Sequence, residues 1–73
     1  MVKLKRNDLL SKRENEVLLS LISGSTNRQI AENLSVSIST VKTYVEKIYM
    51  QFNVHNRAEL ILYTFKNNIV CFE

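Results

Sequence analysis

Thr26-Asn27-Arg28 and Ser39-Thr40 are the residues whose types and placement first suggest chemistry. Each group stands in the opening turn of a helical pattern, where unpaired backbone amides and the positive end of the helix dipole attract an anion such as a phosphate. Arg28 adds a charged donor to the first group. The plainer alternative is that the hydroxyls serve only as helix caps. Further on, Ser39, Lys42, Thr43, Glu46 and Lys47 lie away from the apolar stripe of Val41, Val45, Ile48 and Phe52, so they share a polar face of one helix.

Catalysis has no footing in this sequence. It offers no nucleophile with a base, no paired-carboxylate cleft, no glycine-rich phosphate loop and no metal cluster. His55 is the single histidine and Cys71 the single cysteine, too few for a structural zinc site of four N or S ligands and for an internal disulfide. His55, in a turn before a helix, reads as a surface or capping side chain, and Cys71, near a frayed end, as an incidental reduced thiol. No enzyme activity, cofactor or metal is expected.

The elements that must hold the polar groups are legible in caps and periodicity. Ser11 with Glu14 and Thr26 with Gln29 are capping-box pairs, Ser37 is a good N-cap, and Asn56 with Glu59 is a further start signal. After these starts, Val17, Leu18, Leu21 and Ile22 form the inner face of a first helix that ends at Gly24, the only glycine. A short second helix buries Ile30, Ala31 and Leu34, and the third carries the stripe from Val41 to Phe52. A turn is expected at Asn53-Val54-His55-Asn56. The fourth helix shows two apolar stripes, one of Ala58, Ile61, Leu62 and Phe65 and another of Leu60 and Tyr63, and stops near Asn67-Asn68. Two stripes imply two covered faces, the second without an intramolecular partner.

Composition sets the outer bounds. A chain of 73 residues supports one small core, and a core of that size usually leans on disulfides, metals or a second copy. With disulfide and metal excluded, oligomerisation is the remaining support. Hydrophobic content of 45% with 23% charge, evenly spread, marks a folded domain. One glycine and no proline leave few tight turns for a β protein, so an all-α chain is the economical expectation. Leu60 to Phe65 is too short to span a bilayer and no secretory signal follows the basic Met1–Arg6, so a cytoplasmic protein without membrane association is expected. Ten Lys and Arg against seven Asp and Glu give a net charge of +3, which permits a polyanionic partner.

A short helix, a three-residue turn and a second helix with an exposed polar first turn form the helix-turn-helix arrangement, whose second helix enters the major groove of DNA. Ile30, Leu34, Val36, Val41 and Tyr44 supply its apolar positions, and Ala31 is small where the two helices approach. Ser35 stands where many such turns have glycine. A helical hairpin of any purpose shows part of this pattern, so periodicity alone leaves DNA binding and other roles open.

The stretches Leu10-Ser11-Lys12-Arg13-Glu14-Asn15-Glu16-Val17-Leu18, Gly24-Ser25-Thr26-Asn27-Arg28-Gln29-Ile30-Ala31, Val36-Ser37-Ile38-Ser39-Thr40-Val41-Lys42 and Val54-His55-Asn56-Arg57-Ala58-Glu59 narrow the choice. In order and spacing, from Asp8 to Val70, the chain resembles the LuxR/GerE-type DNA-binding domain. The resemblance implies a four-helix domain that binds double-stranded DNA as a homodimer, with the third helix in the major groove and the fourth at the dimer contact. Most members carry this domain behind a sensing domain, for which this chain has no room. It resembles the free-standing members, such as the small sporulation regulators, or an excised C-terminal domain; Met1 and the basic lead-in favour a complete gene product. The expected architecture is all-α, one helix-turn-helix domain over residues 1–73 with residues 1–7 as a disordered lead-in.

Carried over position by position, the resemblance places Lys42 and Thr43 at base edges, with Glu46 one turn on as a third candidate. Lysine can donate to guanine O6 and N7, a threonine methyl can pack on thymine, and glutamate can accept from cytosine N4. Family members often have a basic or neutral residue at the position of Glu46, so this carboxylate either reads cytosine or points aside. Thr26, Asn27, Arg28, Ser39 and Thr40 are the candidate phosphate contacts, fixing register without reading sequence. Leu60 and Tyr63 are the candidate dimer contacts. Tyr44, where the family usually has histidine, is expected to pack half-buried. Arg57 is expected to brace the domain across helices, and Arg13 and Glu14 to serve the first helix start and its ion pairs.

The expected function is sequence-specific transcription regulation, with RNA polymerase as a further candidate partner. The principal rival is a helical module that binds another regulator through the same apolar stripes, with Glu46 and the modest charge in its favour. A promoter-binding region of a sigma factor shares the helix-turn-helix layout, but the Asn56-Arg57-Ala58-Glu59 extension into a fourth apolar helix favours the LuxR/GerE resemblance.

Overall fold

Each helix begins where a short polar side chain can satisfy an otherwise orphaned amide. In the computed structural model, which describes residues 1–73, helix α1 spans Lys12–Ile22, α2 Asn27–Leu34, α3 Ile38–Phe52 and α4 Arg57–Lys66. Ser11 Oγ accepts from the Glu14 amide at 3.1 Å while the Ser11 amide donates to Glu14 Oε1 at 2.9 Å. Thr26 and Gln29 repeat that reciprocal pair at 3.1 and 2.8 Å. Ser37 Oγ caps the Thr40 amide at 3.1 Å, and Asn56 Oδ1 caps that of Glu59 at 2.9 Å. All four starts are those expected from the sequence.

The four helix ends share one device. Amide-to-carbonyl bonds spanning five residues close them: Ser25 to Ser20, Val36 to Ala31, Val54 to Tyr49 and Ile69 to Thr64, between 2.9 and 3.0 Å. The residue before each donor is left-handed: Gly24, Ser35, Asn53 and Asn68, with φ of 94°, 57°, 54° and 57°. This is the Schellman closure, and in three of the four the donor is an apolar residue that folds back onto the core. The chain therefore reverses sharply after every helix without a proline.

Twelve buried apolar residues make one core: Val17, Leu18, Leu21 and Ile22 of α1, Ile30 and Ala31 of α2, Val41, Ile48 and Phe52 of α3, Leu60 of α4, and Ile69 and Val70 beyond it. Val45, the fourth member of the expected α3 stripe, is half-buried against it. Two polar side chains are buried and both are satisfied. Thr64 Oγ1 donates within its own helix, 2.9 Å from the Leu60 carbonyl and 3.0 Å from that of Ile61. Asn15 Nδ2 reaches the Asn7 carbonyl at 3.1 Å and that of Leu10 at 3.4 Å, binding the segment before α1 to the helix.

The expected disordered lead-in is not what the structure shows. Val2–Leu4 form strand β1, which pairs antiparallel with β2, Val70–Phe72, in the register Val2 with Phe72, Lys3 with Cys71 and Leu4 with Val70. The Lys5 amide donates to the Ile69 carbonyl at 2.8 Å, and at the outer end Met1 and Glu73 exchange bonds of 2.7 and 2.8 Å. Cys71 thus lies in a paired strand rather than a frayed end. Scarce turn residues exclude hairpins, but β1 and β2 lie at opposite ends of the chain and need no tight turn. Val2 and Leu4 pack on the core, which is why the segment orders. The four-helix architecture stands, with this small sheet added.

Candidate nucleic-acid interface

Helices α2 and α3 meet through Ile30 and Ala31 on one side and Val41 on the other, with Leu34, Val36 and Tyr44 half-buried around them. Ala31 is only 5% exposed, so a larger side chain at this crossing would force the helices apart. Tyr44 faces the core edge, as expected of a packing residue. Burying that side of α3 turns Ser39, Lys42, Thr43, Glu46 and Lys47 outward, and all five are exposed.

The three candidate base readers therefore share one accessible face, and two of them are charged groups without partners. Neither Lys42 nor Glu46 takes part in any of the ion pairs, which join Lys3 to Glu73, Arg6 to Asp8, Arg13 to Glu16 and His55 to Glu59. Thr43 Oγ1 donates to the Ser39 carbonyl at 3.2 Å. With its proton used in the helix, Thr43 presents a methyl group and oxygen lone pairs outward.

The candidate phosphate contacts divide in two. Arg28 is exposed and unpaired, and the Asn27 and Arg28 amides make no bond within the chain, so the start of α2 is open to an anion. Ser39, in the first turn of α3, also has a free amide. Thr26 caps α2, and Thr40 is bonded to Ser37, the cap of α3. The Thr26 hydroxyl accepts from the Gln29 amide, and Thr40 is tied to Ser37 through both its amide and its hydroxyl, the latter at 2.9 Å. Accepting from an amide leaves the Thr26 hydroxyl proton free for a phosphate oxygen.

On α4 the structure separates the two expected dimer contacts: Leu60 is excluded by burial, whereas Tyr63 keeps an accessible edge. Leu60 is fully buried in the core and cannot meet another chain. Tyr63 is half-buried, its ring 5.3 Å from that of Phe52. Ala58 and Leu62 point outward, the latter 68% exposed, whereas Ile61 and Phe65 are half-buried against the core as Tyr63 is. Thr64 shares the inner row with Leu60. Its hydroxyl is bonded into the helix, so it serves as an apolar partner to Leu60 on the inner row, whereas by residue type it counts as polar.

Two further expectations meet the structure differently. Arg57 is half-buried but makes no hydrogen bond or ion pair, so no cross-helix brace forms through its guanidinium. His55 does act at a helix start. Its amide donates to Glu59 Oε1 at 2.8 Å, with Nδ1 at 3.2 Å from the same oxygen, and these bonds hold the Glu59 carboxyl below the usual carboxylate range. At α1, bonds from the Ser11 amide and hydroxyl do the same for Glu14, and Arg13 pairs with Glu16 at 3.1 Å.

Comparison with known proteins agrees with this geometry. Residues 8–64 match the family GerE, described as bacterial regulatory proteins, luxR family. The chain is 41% identical over 58 residues to the probable transcriptional regulator ycf29 of Cyanophora paradoxa, covering 80% of this chain and 28% of that protein. It is 35% identical over 63 residues to the response regulator VraR of Staphylococcus aureus, covering 86% of this chain and 30% of that protein. It spans less than a third of the length of these curated relatives. Among solved structures, Vibrio cholerae VqmA, a dimer described with the LuxR-type receptors, superposes with a TM-score of 0.79 at 32% identity, over 82% of this chain and 27% of VqmA. The response regulator ChrA of a heme-sensing two-component system gives 0.77 at 38%, over 89% of this chain and 32% of ChrA. No helix here is long and apolar enough to cross a membrane. With the match reaching from Asp8 through the helix-turn-helix into α4, the chain belongs to the luxR family of bacterial regulatory proteins.

Proposed function

We propose that this chain is a sequence-specific DNA-binding transcription regulator that places α3 in the major groove, works in the cytoplasm as a homodimer, and folds as one domain over residues 1–73. The observation that carries the reading is the outward face of α3, where Lys42 and Glu46 are exposed and unpaired beside the methyl of Thr43. Charged groups free of internal partners are available to base edges without first breaking a bond. The open amides of α2 and the free Arg28 supply a phosphate contact that would fix the register. For the dimer, the exposed Ala58 and Leu62 of α4 with the accessible edge of Tyr63 form the contact, and the buried Leu60 takes no part. RNA polymerase is the partner on which such a regulator finally acts, and no catalytic step belongs to this reading.

The test is a fluorescence-anisotropy titration of labelled duplexes, a selected pool against random DNA, at low and near-physiological salt. Tight, selective and salt-weakened binding is expected. Absence of binding even at low salt would favour the rival role, a module that docks on another regulator, for which Glu46 and the modest net charge speak.

A further inference from the structure

Glu46 is the only acidic residue in α3, and it stands in the middle of the face assigned to base reading. It is exposed and makes neither a hydrogen bond nor an ion pair, although Lys42 lies one turn before it on the same side. Lys47 leans the other way, near enough to Glu14 to contribute to the lowering of that carboxyl. Glu46 therefore enters any complex as a carboxylate with no hydrogen-bond or ion-pair partner within the chain. Brought against phosphates it repels, and brought against base edges it loses water, so it weakens binding unless a donor meets it.

In the major groove only two bases carry a donor, cytosine at N4 and adenine at N6. Adenine sets its N7 acceptor beside N6, which opposes the second carboxylate oxygen, whereas cytosine has no acceptor on that edge. We propose that Glu46 is the specificity filter of this interface, accepting from a cytosine amino group and penalising sites that lack one there. The proposal rests on the DNA-binding reading above. One helical turn separates Glu46 from Lys42 by about 6 Å along the axis, roughly two base-pair steps of about 3.4 Å. The selected cytosine is thus expected close to the base pair that Lys42 contacts.

The experiment is selection from a randomised duplex pool, followed by anisotropy titrations, with wild type, Glu46→Ala and Glu46→Gln. Helical circular dichroism confirms the fold of these surface variants. Wild type is expected to prefer cytosine at one position by roughly five- to a hundredfold. Glu46→Ala should lose that preference alone and bind random DNA more tightly, and Glu46→Gln should move it toward adenine, whose N6 and N7 suit an amide. A Glu46→Ala profile identical to wild type at every position overturns the filter and leaves DNA reading intact. Failure of the wild type to bind any duplex overturns both.

Discussion

Helices α3 and α4 each turn one face to the core and one to solvent, and the two outward faces differ in chemistry, that of α3 being mainly polar and that of α4 centred on an apolar pair. That of α3 carries Ser39, Lys42, Thr43, Glu46 and Lys47 before the exposed Met50, and that of α4 carries Ala58 and Leu62 flanked by Glu59 and Lys66. An exposed polar row costs nothing in water, whereas an exposed apolar row gains free energy when covered. The first suits a polyanion that meets specific charges, the second a surface like itself. A small domain stands to gain most from that cover, since its own core supplies little stability.

The sharpest way to break this comparison is on α4 itself. Leu60→Ala removes a fully buried side chain and is expected to cost about 2–5 kcal/mol of unfolding free energy in urea. Leu62→Ala, one turn face away, should stay within about 0.5 kcal/mol in the monomer. Equal costs at the two positions would mean that the inner and outer rows have been misassigned.

The polar face gives the next largest effect. Lys42→Ala is expected to weaken binding to a selected duplex by about 1–3 kcal/mol and to relax selectivity at one base pair. Weakening that is uniform over all sequences would place the lysine on phosphate instead. Sedimentation should not change, because α4 is untouched. Leu62→Glu supplies the converse, shifting sedimentation toward monomer by about tenfold in association, or ~1.4 kcal/mol. Its effect on DNA should follow from the lost second subunit alone. Tyr63→Glu is a poorer probe, since the ring also packs on Phe52.

How much of this was legible in the sequence depends on how local the signal is. Ser11, Thr26, Ser37 and Asn56 announce the helix starts because a cap and its partner lie three residues apart. The polar face of α3 follows from its own periodicity. What escaped depends on distant partners or on a side chain's internal bonds. Val2 and Leu4 order only because Val70 and Phe72 come back to them from the far end. Asn15 is polar by type, yet it is buried and ties down the Asn7 and Leu10 carbonyls. Thr64 reads as polar until its hydroxyl is seen bonded to its own helix, which lets it complete the inner row that buries Leu60.

The smallest expected effect separates the scaffold from both faces. Ser35 ends α2 at φ 57°, ψ 43°, a left-handed conformation that costs an L-residue about 1–2 kcal/mol relative to the right-handed one. Glycine removes that strain but adds freedom to the unfolded chain, worth roughly 0.5–1 kcal/mol in the opposite direction. Ser35→Gly should therefore stabilise by between about 0 and 1.5 kcal/mol, read as a higher urea midpoint at unchanged slope. Because the Val36 amide bond to Ala31 persists, α3 keeps its angle to α2, and both duplex selectivity and sedimentation should stay as in wild type. A change in selectivity would show that the serine turn tilts the reading face, making its orientation part of recognition rather than a consequence of the core.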